Sequence, residues 1–286
     1  MSGIRRCVSG VGVLATALAV LPGTGLAQTS AAVCSQAPTL PSGGLPERPE
    51  ATWTWFAEPS SVYHWGGREE ANLGVGHLPV VGDGTGPTGP VGYGWAPHTA
   101  LPMWDVPNGT FAGWIAWGQV YEAHGPPSPF TGVGTVETAY EDQTIYVLQS
   151  TVEGWLQIRL RAPTESDDGL RWTHSCHLSL GERGLEFESW NEVIQRQREW
   201  LVFRSSARHA LRESPGAGSA LAGWIGDDHE IELLEMDGDW ARIRVREPAV
   251  ACRGDVEEFT GTEREGWIRW FGEDQGPWLW YYTRGC

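Results

Sequence analysis

The tetrapeptide Ala-Gly-Trp-Ile occurs twice in this chain, at residues 112–115 and again at 222–225. Ala100 and Leu101 precede the first copy as Ala210 and Leu211 precede the second, so six identities share one offset of 110 positions. A fixed register of this kind marks a tandem duplication of one structural unit. A second block, Trp155, Ile158, Arg159, Arg161 and Pro163, recurs as Trp240, Ile243, Arg244, Arg246 and Pro248 at an offset of 85. The first copy therefore carries 25 extra residues between its two blocks. They fall within Ala116 to Thr144, where Gly125, Pro126, Pro127, Ser128 and Pro129 read as one long inserted loop. Each copy continues with a second tryptophan strand, Leu170 to Thr173 and Gly266 to Trp270. A glycine turn and a last aromatic strand follow, Leu185 to Trp190 and Trp278 to Tyr282.

What fills the repeat is β-forming. The chain holds 17 Trp, 38 Gly and 19 Pro, and its aromatic and β-branched runs are cut by turn residues every few positions, a pattern of short strands. The fold class expected is all-β with little helix. One helix is expected near Ser189 to Glu199, with Ser189 as its cap and Trp190, Val193, Ile194 and Gln197 on one face; it reads as a linker between the halves.

The amino end has the layout of a signal peptide. Arg5 and Arg6 precede an apolar stretch from Val11 to Leu21, Pro22 and Gly23 break it, and Gly25, Leu26 and Ala27 supply small residues before Gln28. The expected product is secreted or periplasmic, cut near Ala27, with no membrane insertion, since no later stretch approaches the roughly 20 apolar residues a spanning helix needs. Cleavage removes two arginines and no acid, moving the formal charge from −16 to −18, a field that repels nucleic acid. All 20 basic residues are arginine, which rules out Schiff-base lysines and phosphate-loop lysines. Cys34, Cys176, Cys252 and Cys286 survive cleavage, an even number suited to an oxidising compartment. Three pairings are open, and Cys34 with Cys176 plus Cys252 with Cys286 keeps each bridge near one half of the chain.

No catalytic set emerges. In His174, Ser175, Cys176, His177 a strand would turn His177 away from the other two, so one ion cannot meet all three without a bulge, and Cys176 reads as a disulfide cysteine. The acid pairs Asp167 and Asp168, Asp227 and Asp228, and Glu257 and Glu258 sit beside turn residues and read as solvated charge. Asp83 to Pro90 lacks the lysine of a phosphate loop. Asn108, Gly109, Thr110 fits a glycosylation acceptor, with a turn as its simpler role. No metal and no cofactor are implied. Binding candidates are instead aromatic: Trp155, Trp240 and Trp267, which read first as core residues of a small barrel, and Trp278, Trp280 and Tyr282, which with Tyr281 make a run of consecutive aromatics that would occupy both faces of a strand.

Leu211, Arg212, Glu213, Ser214, Pro215 and Gly216, then Ala222 to Ile225, Ile231 to Met236, Trp240 to Arg246 and a closing Gly266, Trp267, Ile268 give a pattern that resembles the bacterial SH3-like domain. The likeness covers Trp200 to Trp270 well and Thr99 to Leu178 loosely. The first copy lacks the arginine after Leu101 and has Arg171 in place of the closing glycine. The resemblance implies two tandem SH3-like β-barrels and recognition of a cell-wall peptide or an envelope protein. The resulting organisation is a signal peptide at 1–27, a disordered leader at 28–50 and an aromatic β-rich extension without a repeat partner at 51–98. A first unit at 99–190 and a second at 191–286 follow. The function expected is non-catalytic binding. One alternative is a wall hydrolase or metal-dependent hydrolase with a site in 51–98, where His64, His77 and His98 are candidate zinc ligands; another is a purely structural envelope protein.

Overall fold

The computed structural model describes residues 33–49, 72–81, 96–123, 128–129, 133–139, 142–160, 168–199, 201–204, 207–226, 229–247, 261–272 and 276–281. The signal-peptide region, His64, Tyr282, Cys252 and Cys286 lie outside them. The first unit contains β1 (Gly76–Leu78), β2 (Ala100–Trp104), β3 (Phe111–Ala116), β4 (Gln119–Glu122), β5 (Ser128–Pro129), β6 (Thr135–Ala139), β7 (Asp142–Val147), β8 (Gln149–Ser150), β9 (Trp155–Arg159), β10 (Leu170–His174) and β11 (Glu188–Ser189). A helix, α1 (Trp190–Gln197), leads to β12 (Leu201–Phe203), β13 (His209–Arg212), β14 (Leu221–Ile225), β15 (Glu230–Asp237), β16 (Trp240–Glu247), β17 (Thr262–Arg269), β18 (Phe271–Gly272), β19 (Gly276–Pro277) and β20 (Leu279–Tyr281). Among the described residues the fold is all-β apart from α1, a helical turn at 33–34 and short 3-10 turns.

The duplication is a duplication of topology. In the second unit the strands run β14-β13-β17-β16-β15-β12-β20. The first unit repeats that order as β3-β2-β10-β9-β8, then through Leu148 into β7, and on to β1 and β11. Within the extension at 51–98, β1 therefore does have a counterpart: it pairs with β7 and β11 as β12 pairs with β15 and β20. The inserted stretch after Ala116 is not one loop. It lays β4 and β5 on the edge of β3 and pairs β6 with β7.

Register corrects one detail of the repeat. Gly113 lies opposite Met103, and Gly223 lies opposite Leu211, each just before a bulge. Leu211 thus corresponds to Met103 and Arg212 to Trp104, two positions from the match that identity gives. A slip of two residues keeps every side chain on its own face, so the Ala-Leu match persists in the sequence although the pairing has moved. The glycine of the motif is required where the first sheet bulges: at Gly113 φ is +141°, and a Cβ would lie 2.0 Å from the Tyr121 carbonyl oxygen, a conformation and an approach that only glycine accepts.

The expected barrels do not close. Among the described residues no pairing joins β14 to β20. Instead β20 turns toward the first unit, where the Tyr281 hydroxyl donates to the Thr138 carbonyl at 3.1 Å. The helix serves this junction rather than acting as a spacer. Ser189 and Glu192 form a capping box, and Trp190, Val193 and Ile194 are buried in the same cluster as Leu201, Ile243, Ile268 and Trp280. The Trp190 indole donates to the Leu73 carbonyl at 3.0 Å, stacks on His77 at 4.8 Å and meets Trp280 edge-on at 5.0 Å. A second cluster, including Leu101, Met103, Ile115, Ile145 and Ile158, fills the first unit.

His77 is held at both ring nitrogens within this junction: Nδ1 is 2.9 Å from the Thr144 hydroxyl and Nε2 3.0 Å from the Glu188 carboxylate. A carboxylate only accepts, so Nε2 carries the proton and Nδ1 accepts from Thr144. Burial, aided by the Arg196 charge, lowers the His77 pKa from 6.5 to about 3. The unfolded chain therefore binds a proton that the fold refuses between those values. Stability is complete above pH 6.5 and falls as pH drops toward 3, by up to about 1.4 kcal/mol per unit from this residue. Burial lowers the pKa of His174, His177 and His209 too, with the same sign. Urea unfolding from pH 7 to pH 4 is expected to show this loss, with a shallower slope in His77→Gln; an equal slope in that variant would refute the assignment.

Candidate functional site

Alternation along β16 places Ala241, Ile243 and Val245 in the core and Trp240, Arg242, Arg244 and Arg246 on the outer face. β17 does the same with Gly266 and Ile268 inward and Glu263, Glu265, Trp267 and Arg269 outward. The outer face of the second unit is thereby organised in two parts. At one end the arginine column of β16 stands between glutamates of both neighbouring strands. Arg244 meets Glu232 at 3.0 Å, Glu263 at 3.2 Å and Glu265 at 3.0 Å, and Arg246 meets Glu230 at 3.4 Å and Glu263 at 3.2 Å. These cross-strand pairs neutralise one another and leave little charge there for a ligand.

At the other end the column gives way to a cleft of about 390 Å³ lined by His209, Ala210, Arg212, Ala217, Asp239, Trp240, Arg269 and Trp278. The His209 ring lies flat on Phe203, centroids 3.8 Å apart, and 5.9 Å from Trp278. Burial lowers its pKa, so it is neutral at pH 7. The Arg269 guanidinium sits 5.8 Å above the Trp278 ring and 3.5 Å from the Asp239 carboxylate. Arg212 donates to the Ser219 carbonyl at 2.6 Å. Behind the cleft, Arg204 donates to the Pro277 carbonyl at 2.9 Å, and burial pushes its pKa down to about 10. Four buried ring nitrogens find no hydrogen-bond partner among the described residues, His177 Nδ1 and Trp280 Nε1 elsewhere and His209 Nε2 and Trp278 Nε1 at the cleft. An unpaired buried donor or acceptor is costly, and the last two belong to cleft-lining side chains. The chemistry on offer is stacking, hydrogen-bond donation and two guanidinium groups; no Ser, Thr or Cys nucleophile is among the lining residues.

The same face of the first unit is closed. Trp104 stands where the second unit has Arg212, Phe111 where it has Leu221, and His174 where it has Arg269. Trp104 packs against Trp155 at 5.4 Å, Phe111 at 5.9 Å and His177 at 5.6 Å. The leader then covers this cluster. Cys34 is bonded to Cys176, and a Cβ on Gly154 would lie 2.6 Å from Val33. Leu40 and Leu45 pack on Ala100, Trp114, Ala116 and Trp117. Trp117 donates to the Pro46 carbonyl at 2.7 Å, while Arg48 lies 5.8 Å over the Trp117 ring and pairs with Glu182. Trp114 is 4% exposed; its counterpart Trp224, with no such cover, is 51% exposed. The stretch 33–49, expected to be disordered, is thus a packed strap.

The six aromatic candidates divide. Trp240 and Trp278 line the cleft, and Trp267 lies half-buried on the same face opposite Arg212 and Arg242. Trp155 and Trp280 are buried, 3% and 1% exposed: Trp155 packs edge-on against Trp104 and His174, and Trp280 packs against Trp190 and Tyr281. Tyr281, too, is buried, so the terminal strand has no solvent face at 280–281. The expected pair Cys34–Cys176 is present; Cys252 and Cys286 lie outside the described residues. The disulfide consumes the Cys176 sulfur, while His174 accepts from the Cys176 backbone amide and donates to the Glu153 carbonyl. His77 is engaged at both nitrogens and His98 contacts Glu182 at 2.8 Å. Among the described residues no three His, Cys, Asp or Glu are placed to share a metal ion. Asn108 occupies a turn with φ +57°, closed by Asp105 accepting from the Val106 and Thr110 amides. His209, Arg212, Asp239 and Arg269 were not singled out from sequence; the signal that marks the sheet face is the alternation of arginine from 242 to 246 between two glutamate-bearing strands.

No family model matches the chain, and no curated protein matches it. Among solved structures it is similar to NlpC2 from Trichomonas vaginalis at 9% identity and a TM-score of 0.22, over 60% of this chain and 43% of that one. The chain thus spans less than half of that protein's length, and at this score the likeness carries no argument. Among the described residues no helix is long and apolar enough to cross a membrane.

Proposed function

We propose that this is an exported, non-catalytic binding protein of two tandem SH3-like units, cut near Ala27, whose second unit holds a peptide, a cell-wall fragment or an envelope protein in the cleft around Trp240 and Trp278. The observation that carries the reading is the unequal use of one face. The first unit fills its copy with aromatic side chains and its own leader. The second keeps an open cleft that combines indole faces, two arginines and unpartnered ring nitrogens. Such convergence of apolar lining with a few polar groups is the usual form of a binding site, and the disulfide suits an oxidising compartment.

The test is co-sedimentation of the mature protein with purified peptidoglycan, read alongside tryptophan fluorescence and capture of envelope proteins. Binding with a fluorescence shift is expected, weakened about tenfold in Trp240→Ala, a loss of about 1.4 kcal/mol. Trp280→Phe, a core change, should leave affinity alone. A folded protein that retains neither peptidoglycan nor any envelope protein would overturn the reading.

A further inference from the structure

The strap on the first unit follows a path that can be transferred to the second. Its beginning, Val33 and Cys34, lies at Gly154 and Cys176, and its later part, Leu40 to Arg48, lies at Trp114 and Trp117. By strand register the counterpart of Gly154 is Asp239 and that of His174 is Arg269, both lining the cleft. The counterpart of Trp114 is Trp224. One track therefore runs on the outer face of the second unit from the cleft across Ala210, which pairs directly with Trp224, to an exposed indole on the strand that also carries Leu221, itself 49% exposed.

We infer that this track is a docking groove for a peptide segment of a partner protein, built like the strap and carrying a carboxylate where the strap carries Cys34. The inference rests on the reading of the cleft as a binding site and names its occupant. The strap supplies the chemistry of the later part: two leucines five positions apart, Leu40 and Leu45, on either side of a turn in which the Gly44 amide donates to the Pro41 carbonyl at 2.9 Å. The anchor must differ. In the first unit it is a covalent bond to Cys176. In the second the cleft presents Arg212 and Arg269, groups that recognise a carboxylate through paired N–H donors. The protein's own leader is held on the first unit by its disulfide and contacts, so the occupant comes from another protein.

The probe is a synthetic peptide of residues 33–48 with Cys34→Asp, titrated into the mature protein, with the Cys34→Ser peptide as comparison and soluble peptidoglycan fragments as a second ligand. The Asp peptide is expected to quench tryptophan fluorescence saturably, to bind at least five times more tightly than the Ser peptide, and to lose at least tenfold in affinity on Trp224→Ala. That exposed residue can be removed without opening the core, and unchanged circular dichroism checks it. Peptidoglycan binding with no peptide binding at millimolar concentration overturns the inference and leaves the proposed function standing. Absence of both kinds of binding overturns both. A concentration-dependent dimer abolished by Trp224→Ala overturns it as well, by assigning the track to a second copy of the chain.

Discussion

Trp280→Ala is expected to lower the unfolding free energy by about 3–5 kcal/mol, the range for emptying a fully packed aromatic site. Trp280 is 1% exposed and touches Trp190 edge-on at 5.0 Å and Tyr281 in a stack at 5.0 Å. Trp190 in turn carries the hydrogen bond to Leu73 and the stack on His77. A cavity here would loosen the place where the two units share a core, so the two should lose stability together. Urea unfolding followed by near-ultraviolet circular dichroism measures it, and Trp224→Ala provides the contrast, with a change within about 0.5 kcal/mol expected for a surface site. A loss below 1 kcal/mol for Trp280→Ala would mean that the junction is not packed as described.

Opening the Cys34–Cys176 disulfide is the second large effect. The bond closes a loop of 142 positions, for which loop-closure entropy corresponds to about 5 kcal/mol at 25 °C. Part of the loss should be local. Without the bond, the strap is held by Leu40, Leu45, the Trp117–Pro46 hydrogen bond and the Arg48–Glu182 ion pair, and an exposed ion pair adds little. Trp114 and Trp117 should then become accessible. Double substitution of Cys34 and Cys176 by serine is expected to lower stability by several kcal/mol, to red-shift tryptophan emission before global unfolding, and to admit proteolysis between residues 33 and 49. Stability within 1 kcal/mol of the parent, with the strap still protected, would count against the assignment.

The repeat was legible because it rests on side chains that define the sheet: inward residues at alternate positions, a glycine where the backbone bulges, a tryptophan at the start of each central strand. The helix was legible for a similar reason, since the Ser189 cap, the Glu192 partner and the apolar spacing are local. Four features were not. The two-residue register difference between Leu211 and Met103 leaves faces unchanged and so leaves no trace in hydrophobic patterning. The burial of Trp155 and Trp280 depends on partners distant in sequence, Trp104 in one case and Trp190 in the other. β1 is only three residues long, too short for a periodic signal, and its identity comes from its partners. The cleft was hidden because its essential difference from the closed face is the replacement of Trp104 and His174 by Arg212 and Arg269. That correspondence exists only once strands are aligned by hydrogen bonding. Trp240, Trp267 and Trp278 could be singled out as aromatic, but their neighbours could not.

The covalent link between the strap and the end of β10 has a mechanical consequence. A force applied to the chain upstream of Cys34 does not pass along β1, β2 and the strands that follow; it crosses directly to Cys176. The 142 positions between the two cysteines, roughly 50 nm of extended chain, are taken out of the load path. With the bond intact, β1 to β10 and the strap are shielded from stretching by any tether at the amino end, and tension passes through β11 toward the helical junction and the second unit. An anchor at that end would strain the open groove's unit before it strained the closed one.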